Sequence, residues 1–189
     1  MTDPELLPSV VLMGAESTGK TTLAKSLATH YKTTWVPEYL RLFVEQKGTL
    51  PKESDAFAIV NGHLDLVDKM RLKAYLILFL DTDLFTTCVY QRIYFETCPS
   101  IIEEIALQNQ SGLYLFTEPD FPWVADPGQR AGPTQRLESH HLLMSEAKRL
   151  SLQTVQIRGT HHQRMTTAID AVDHYLHDLI QEKSTSENQ

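Results

Sequence analysis

The chain has 189 residues, 42% of them hydrophobic and 22% charged, enough for one domain with a buried core. Twenty-four acids against seventeen bases give a net charge of -7, which speaks against a protein whose main task is coating nucleic acid. Two cysteines, Cys88 and Cys98, make no disulfide framework or zinc spacing and read as free thiols of a reducing cytosol.

The opening MTDPELLPS has neither the basic start nor the apolar core of a signal peptide. Residues 1–8 are polar and expected to be disordered, as is the tail from 182 to 189. The longest apolar run, Ala74 to Leu80, is far too short to span a bilayer. A cytoplasmic protein with no membrane contact is expected. Residues 9–181 then form a single domain.

Ser9 to Met13 is the first strand. A Gly-containing loop follows, then a helix from about Lys20 to Tyr31. Thr33 to Val36 is β-branched and aromatic and is stopped by Pro37. Residues 38–47 and 53–74 read as helices, the second from apolar spacing near 3.6. Tyr75 to Leu80 is a continuous apolar run ending at Asp81, as in a strand buried on both faces. Helices at 83–94 and 98–109 follow, then a strand at 112–117. A polar amphipathic helix spans 134–150, a last strand 155–158 and a last helix 162–181. Strands separated by helices predict βαβ units around a parallel sheet, with ligands outside the carboxyl ends of the strands.

Residues 14–21 read GAESTGKT and match G-x-x-x-x-G-K-[ST] without a mismatch. Gly14 and Gly19 permit unusual dihedrals, so the amides of Glu16, Ser17, Thr18 and their neighbours can converge on phosphate oxygens. The helix start behind them adds partial positive charge and brings Thr22 to the rim. Lys20 is expected at the β- and γ-phosphates of ATP, and the Thr21 hydroxyl on Mg²⁺. With a strand before it and a helix after it, this P-loop is the strongest signal in the chain.

Asp81-Thr82-Asp83 ends the third strand, where an acid is the usual partner of a phosphate loop at the metal. Either aspartate could face the metal, and Asp83 could instead cap the next helix. Glu38 follows the second strand and could accept the proton of an attacking hydroxyl, with Tyr39 and Arg41 holding the acceptor. Residues 119–136, PDFPWVADPGQRAGPTQR, are dense in Pro, Gly and Asp and read as a lid loop presenting Arg130 and Arg136 to the transferred phosphoryl group. THHQR at 160–164 could frame the adenine. Tyr90, Tyr94 and Phe95 either pack in the core or line the acceptor pocket.

Taken together, these segments resemble the ribosylnicotinamide kinase domain of the NadR-type NAD-biosynthesis proteins, within the broader P-loop kinase group. The resemblance runs from about Val10 to Leu179. It rests on GAESTGKTTL (14–23), PEYLR (37–41), NGHLDL (61–66), FLDTDLFTT (79–87), YFETCP (94–99), LYLFTEPDFPWVADPGQR (113–130) and RGTHHQR (158–164). It implies an α/β three-layer sandwich with a five-stranded parallel sheet in the order 2-3-1-4-5 and a lid. It implies transfer of the ATP γ-phosphate to the 5′-hydroxyl of nicotinamide riboside, giving nicotinamide mononucleotide. Glu38, Tyr39, Arg41, Asp81 and Asp83 would lie at the acceptor and metal end, and Lys20, Glu38, Asp83, Arg130 and Arg136 would carry the chemistry. Thr160 and Arg164 would lie near adenine. Trp123 would approach the cationic pyridinium ring, with Asp126 beside it. Two departures stand out: Pro127 follows Asp126 where the family pattern has Gly, and His63 stands where Gln is commoner. Family members often carry an adenylyltransferase domain ahead of the kinase, which the few residues before the first strand are not expected to supply. The alternatives are a P-loop kinase of another nucleoside or vitamin-like alcohol, and a nucleotide-binding regulatory ATPase. Oligomeric state is not legible.

Overall fold

The computed structural model describes residues 7–122 and 133–186. Five strands, β1 (Ser9–Met13), β2 (Trp35–Val36), β3 (Leu78–Asp81), β4 (Leu113–Thr117) and β5 (Thr154–Ile157), form one sheet in the order β2-β3-β1-β4-β5. Every pairing is parallel, with Leu12 opposite Asp81, Met13 opposite Phe116 and Thr117 opposite Ile157. The helices are α1 (Lys20–His30), α2 (Tyr39–Lys47), α3 (Ala56–Arg71), α4 (Leu84–Phe95), α5 (Ser100–Gln108), α6 (Pro133–Arg149) and α7 (His161–Ser186). This is the expected three-layer sandwich with the expected strand order.

The central strands are apolar on both sides, and their period-2 alternation divides the core in two. Val10, Leu12, Phe79 and Leu115 pack against Leu23 and Leu27 of α1 and Val172 of α7. Val11, Met13, Leu80 and Phe116 face Val67 of α3, Val89 of α4 and Leu143 of α6. A satellite cluster around Ala56, Val60, Cys88 and Ile102 joins α3, α4 and α5.

Three boundaries differ from expectation. The run Tyr75 to Leu80 is not all strand. Leu76 has a left-handed φ of 66°, and β3 begins at Leu78. Thr33 explains the bend: its hydroxyl donates to Ile77 O at 2.8 Å and accepts from Tyr75 N at 2.9 Å. Thr33 also stands outside β2, which begins at Trp35, because its amide donates to Ala28 O at 2.9 Å at the end of α1. At the amino end, Leu7 is buried and Pro8 O accepts from Leu78 N at 3.0 Å, so residues 7 and 8 join the fold. At the other end α7 continues to Ser186, past the expected stop at 181, with the Ser184 and Thr185 hydroxyls donating back to Ile180 O and Gln181 O at 2.9 Å.

Candidate active site

The turn from β1 into α1 wraps its backbone around an anion-sized hollow. Ser17 and Gly19 both adopt left-handed φ values, 54° and 82°. Successive reversals of this kind turn amides to the same side. Gly14, at φ 150°, passes so close to β4 that a Cβ would lie 2.7 Å from Thr117 O and closer still to Thr117 Oγ1. Thr18 is buried beneath the loop, donating to Ala15 O at 2.8 Å and lying 2.6 Å from Thr117 Oγ1. Lys20 Nζ curls over the loop and donates to Ala15 O at 2.8 Å.

Asp81, the last residue of β3, faces this loop. Thr21 Oγ1 donates to its Oδ2 at 2.5 Å, while Oδ1 is buried with no hydrogen-bond partner among the described residues. Burial pushes the Asp81 carboxyl above the usual range; Lys20, the Thr21 hydroxyl and Arg41 pull it back. A hydroxyl and an orphaned carboxylate oxygen side by side suit a hard divalent cation. Among the described residues no cluster of three His, Cys, Asp or Glu side chains could hold a metal, so phosphate oxygens or water would complete its shell.

Asp83 is turned elsewhere. Its Oδ1 accepts from Thr86 N at 2.9 Å and Thr86 Oγ1 at 2.8 Å, capping α4, and its Oδ2 accepts from Tyr114 OH at 3.0 Å. Both oxygens are consumed in the interior. The expected catalytic and acceptor-binding role of Asp83 is therefore corrected to that of a helix cap, and Asp81 is the aspartate at the loop.

In front of the loop lies a cavity of about 500 Å³. Lys20, Glu38 and Arg41 line it, as expected, with Arg41 Nε 3.8 Å from Glu38 Oε2. A quarter of the Glu38 side chain stays open to the cavity. Burial raises the Glu38 carboxyl above its ordinary range against the pull of Lys20, and Asp81 raises it further. Tyr39 points away. It packs over Gly62 of α3, where a Cβ would fall inside its ring, and it lines a minor crevice rather than the main cavity.

The opposite wall comes from α4, whose Thr87, Tyr90, Gln91 and Tyr94 recur at helical spacing on one face. Tyr90 and Tyr94 stack with ring centroids 5.8 Å apart and an interplanar angle of 12°. Tyr94 OH donates to Glu16 Oε1 at 3.0 Å. The Glu16 side chain thus leaves the phosphate side and joins this wall, which its place in the motif does not reveal. Sequence leaves Tyr90, Tyr94 and Phe95 between core and pocket, and the fold puts all three on the cavity.

Two expected ligand-binding arginines are braces. Arg136 on α6 is buried and donates to Phe121 O at 3.0 Å and Ser17 O at 2.9 Å. Arg164 on α7 donates to Thr18 O, Glu118 O and Gly159 O, each at 2.9 Å, and pairs with Asp120. Both guanidinium groups are directed at backbone carbonyls, tying Ser17 and Thr18 of the loop to Glu118, Phe121 and Gly159 of the neighbouring segments, which corrects a lid role for Arg136 and an adenine contact for Arg164. Phe121, not singled out from sequence, lies over them with Arg164 Cζ 4.7 Å from its ring centre, and it lines the cavity. Thr160 bonds Gln163 Oε1 through its amide at 2.9 Å and its hydroxyl at 3.1 Å, at the start of α7. Trp123, Asp126 and Arg130 lie outside the described residues. Among the described residues no helix is long and apolar enough to cross a membrane.

The model of the AAA_28 family, an AAA domain, matches residues 9–164. The trifunctional NAD biosynthesis/regulator protein NadR of Escherichia coli (strain K12) is 28% identical over 159 residues, 82% of this chain and 39% of that protein. The chain therefore spans about two fifths of the length of this curated relative. A crystal structure of NadR protein in complex with NR matches with a TM-score of 0.77 at 26% identity, covering 92% of this chain and 52% of that one. A second, in complex with NAD and AMP-PNP, gives 0.76 at 26% identity, with 92% and 50% covered.

Proposed function

This chain belongs to the AAA_28 family and is a P-loop kinase domain of the NadR type, and on that premise we propose that it phosphorylates the 5′-hydroxyl of nicotinamide riboside with ATP. The observation that carries the reading is one cavity lined by Lys20, Thr21 and Glu38, with Asp81 held behind Thr21 by its hydroxyl. Phosphoryl transfer asks for three things: a cradle for the triphosphate, a cation at its oxygens, and an acceptor for the hydroxyl proton.

The loop amides and Lys20 hold the phosphates. Thr21 and Asp81 would hold Mg²⁺, which would supply charge neutralisation at the phosphate oxygens. Glu38 takes the proton from the 5′-hydroxyl as it attacks. A carboxyl with a raised pKa is a better base for that step than an ordinary one, provided the pH keeps it ionised. The acceptor side carries Glu38 and Glu45 beside Arg41, an excess of negative charge that suits a cationic acceptor. NadR itself has been solved in complex with NR and with AMP-PNP. Contacts of Trp123 and Asp126 with the nicotinamide ring, and of Arg130 with the phosphoryl group, rest on the family resemblance.

The test is ADP formation with MgATP and a panel of acceptors. Nicotinamide riboside should be the preferred acceptor, with turnover abolished by Lys20→Ala and by chelation of the cation. Phosphorylation of another nucleoside in its place would refute the assignment of acceptor. A wild type that hydrolyses ATP at the same slow rate with every acceptor would refute the kinase reading.

A further inference from the structure

The phosphate loop contains a carboxylate that cannot serve phosphate. Glu16 sits two residues after Gly14, among amides turned toward an anion, and its own charge would repel one. Its side chain is instead held on the α4 wall by Tyr94 OH at 3.0 Å. Its second oxygen, Oε2, is buried and has no hydrogen-bond partner among the described residues. The same is true of Tyr90 OH and of Gln91 Oε1, on the adjoining turns of α4. All three residues line the same cavity.

Buried polar atoms are normally paired, and a cluster of three around one cavity calls for a ligand rich in hydroxyls. Glu16 and Gln91 present acceptors, and Tyr90 presents a hydroxyl able to donate. Burial, and then the carboxylates of Glu16 and Glu38, keep the Tyr90 phenol protonated. Tyr90 and Glu38 also share the small crevice beside the main cavity, so the cluster borders the carboxyl proposed to meet the acceptor hydroxyl. A group held there is the part of the acceptor next to its reacting hydroxyl, not its distal ring.

We propose that Glu16, oriented by Tyr94 and flanked by Tyr90 and Gln91, is the specificity-determining residue that binds the secondary hydroxyls of the acceptor's sugar. The proposal deepens the kinase reading, since it assigns a subsite of the same cavity. It makes the enzyme a ribose reader: an acceptor lacking a secondary hydroxyl leaves a buried carboxylate oxygen unpaired.

The experiment uses the full chain, MgATP and paired acceptors: nicotinamide riboside, adenosine, cytidine and uridine, each beside its 2′-deoxy and 3′-deoxy analogues. In the wild type, removal of one of the two hydroxyls should lower kcat/KM by about 10- to 100-fold, the value of a hydrogen bond to a charged group. In Glu16→Ala that penalty should shrink to under about threefold, with KM for ATP unchanged, and Glu16→Gln should keep part of it. Tyr94→Phe serves as a second variant should Glu16→Ala fail to fold, and should blunt the discrimination less.

The outcomes separate the two claims. Nicotinamide riboside turned over with the same deoxy penalty in wild type and Glu16→Ala overturns the subsite and leaves the kinase reading standing. A different ribonucleoside turned over, with a deoxy penalty that Glu16→Ala removes, overturns the choice of acceptor and upholds the subsite. A raised KM for ATP with no change in discrimination places Glu16 on the phosphate side and overturns the proposal. No turnover and no thermal stabilisation by any ribonucleoside overturns both.

Discussion

Two aspartates two residues apart should fail in opposite ways. Asp83→Ala removes the cap of α4 and strands the hydroxyls of Tyr114 and Thr86 in the interior. A lost cap costs about 1 kcal/mol, and an orphaned buried hydroxyl about 1–3 kcal/mol. With one cap and two hydroxyls the sum, about 3–7 kcal/mol, corresponds to a melting point lower by about 6–28 °C in a chain of this size. Folded Asp83→Ala keeps the cavity groups, so its kcat at a temperature well below its midpoint should stay within about threefold of wild type. Asp81→Asn is the converse. Burial already opposes its charge, so the neutral amide should leave the melting point unchanged or higher. Its activity should fall at least about a hundredfold, because the carboxylate beside Thr21 is gone. Scanning calorimetry and coupled ADP assays on both variants read the pair. An Asp83→Ala protein that melts with the wild type and is inactive would refute the division of roles.

Other expectations follow from the same geometry. The raised Glu38 carboxyl should place the acid limb of kcat/KM above the ordinary carboxylate range, the rate falling as pH drops and the base is protonated; Glu38→Gln should lose about 10²–10⁴-fold in kcat and lose that limb. His63 is buried and its pKa is depressed to about 4 from 6.5. Stability from its neutral form is fully present above 6.5 and drains away as pH falls toward 4, amounting to about 2 kcal/mol at pH 5. Denaturant titrations at pH 7 and pH 5 should show that acid loss in the wild type and less of it in His63→Gln. Arg136→Ala should leave the carbonyls of Ser17 and Phe121 unpaired, lowering the melting point and raising KM for ATP; a loss in kcat alone, at unchanged stability, would return Arg136 to the phosphoryl group.

The amino half of the site was legible because a phosphate loop is a local object. Its strand, its glycines and its helix are contiguous, and Gly14 and Gly19 take the unusual dihedrals that the motif requires. The choice between Asp81 and Asp83 was not legible, and the reason is a single torsion. Strand alternation would put residues 81 and 83 on the same face. Thr82 adopts a left-handed φ of 70°, which ends the alternation and turns Asp83 into the cap of α4. Arg136 and Arg164 were misread for a different reason. A loop dense in Pro, Gly and Asp marks Arg136, and the place of THHQR after the last strand marks Arg164, but neither says whether a guanidinium meets a ligand or a backbone carbonyl. Tyr39 shows the same limit, since only the contact with Gly62 of α3 reveals that it faces away from the cavity.

The two halves of the cavity are built on different principles, and that difference locates specificity. The phosphate half is braced by groups that bind backbone: Arg136 on Ser17 O, Arg164 on Thr18 O, and Thr117 packed against Gly14. Backbone bracing fixes a shape complementary to phosphate, which every triphosphate shares, so it cannot choose an acceptor. The acceptor half is made of side chains, from Glu38 and Arg41 across to Tyr90, Gln91 and Tyr94, with Glu16 reaching over from the loop. Helix α2, which Glu38 caps, has no buried residue, so little core packing constrains which side chains it presents. Substitutions on α2 and on the inner face of α4 can therefore change the acceptor at small cost to the fold, whereas substitutions around Gly14 and Thr117 cannot be made without moving the loop. On the proposed function, acceptor identity is set in the half of the site that no contiguous motif encodes.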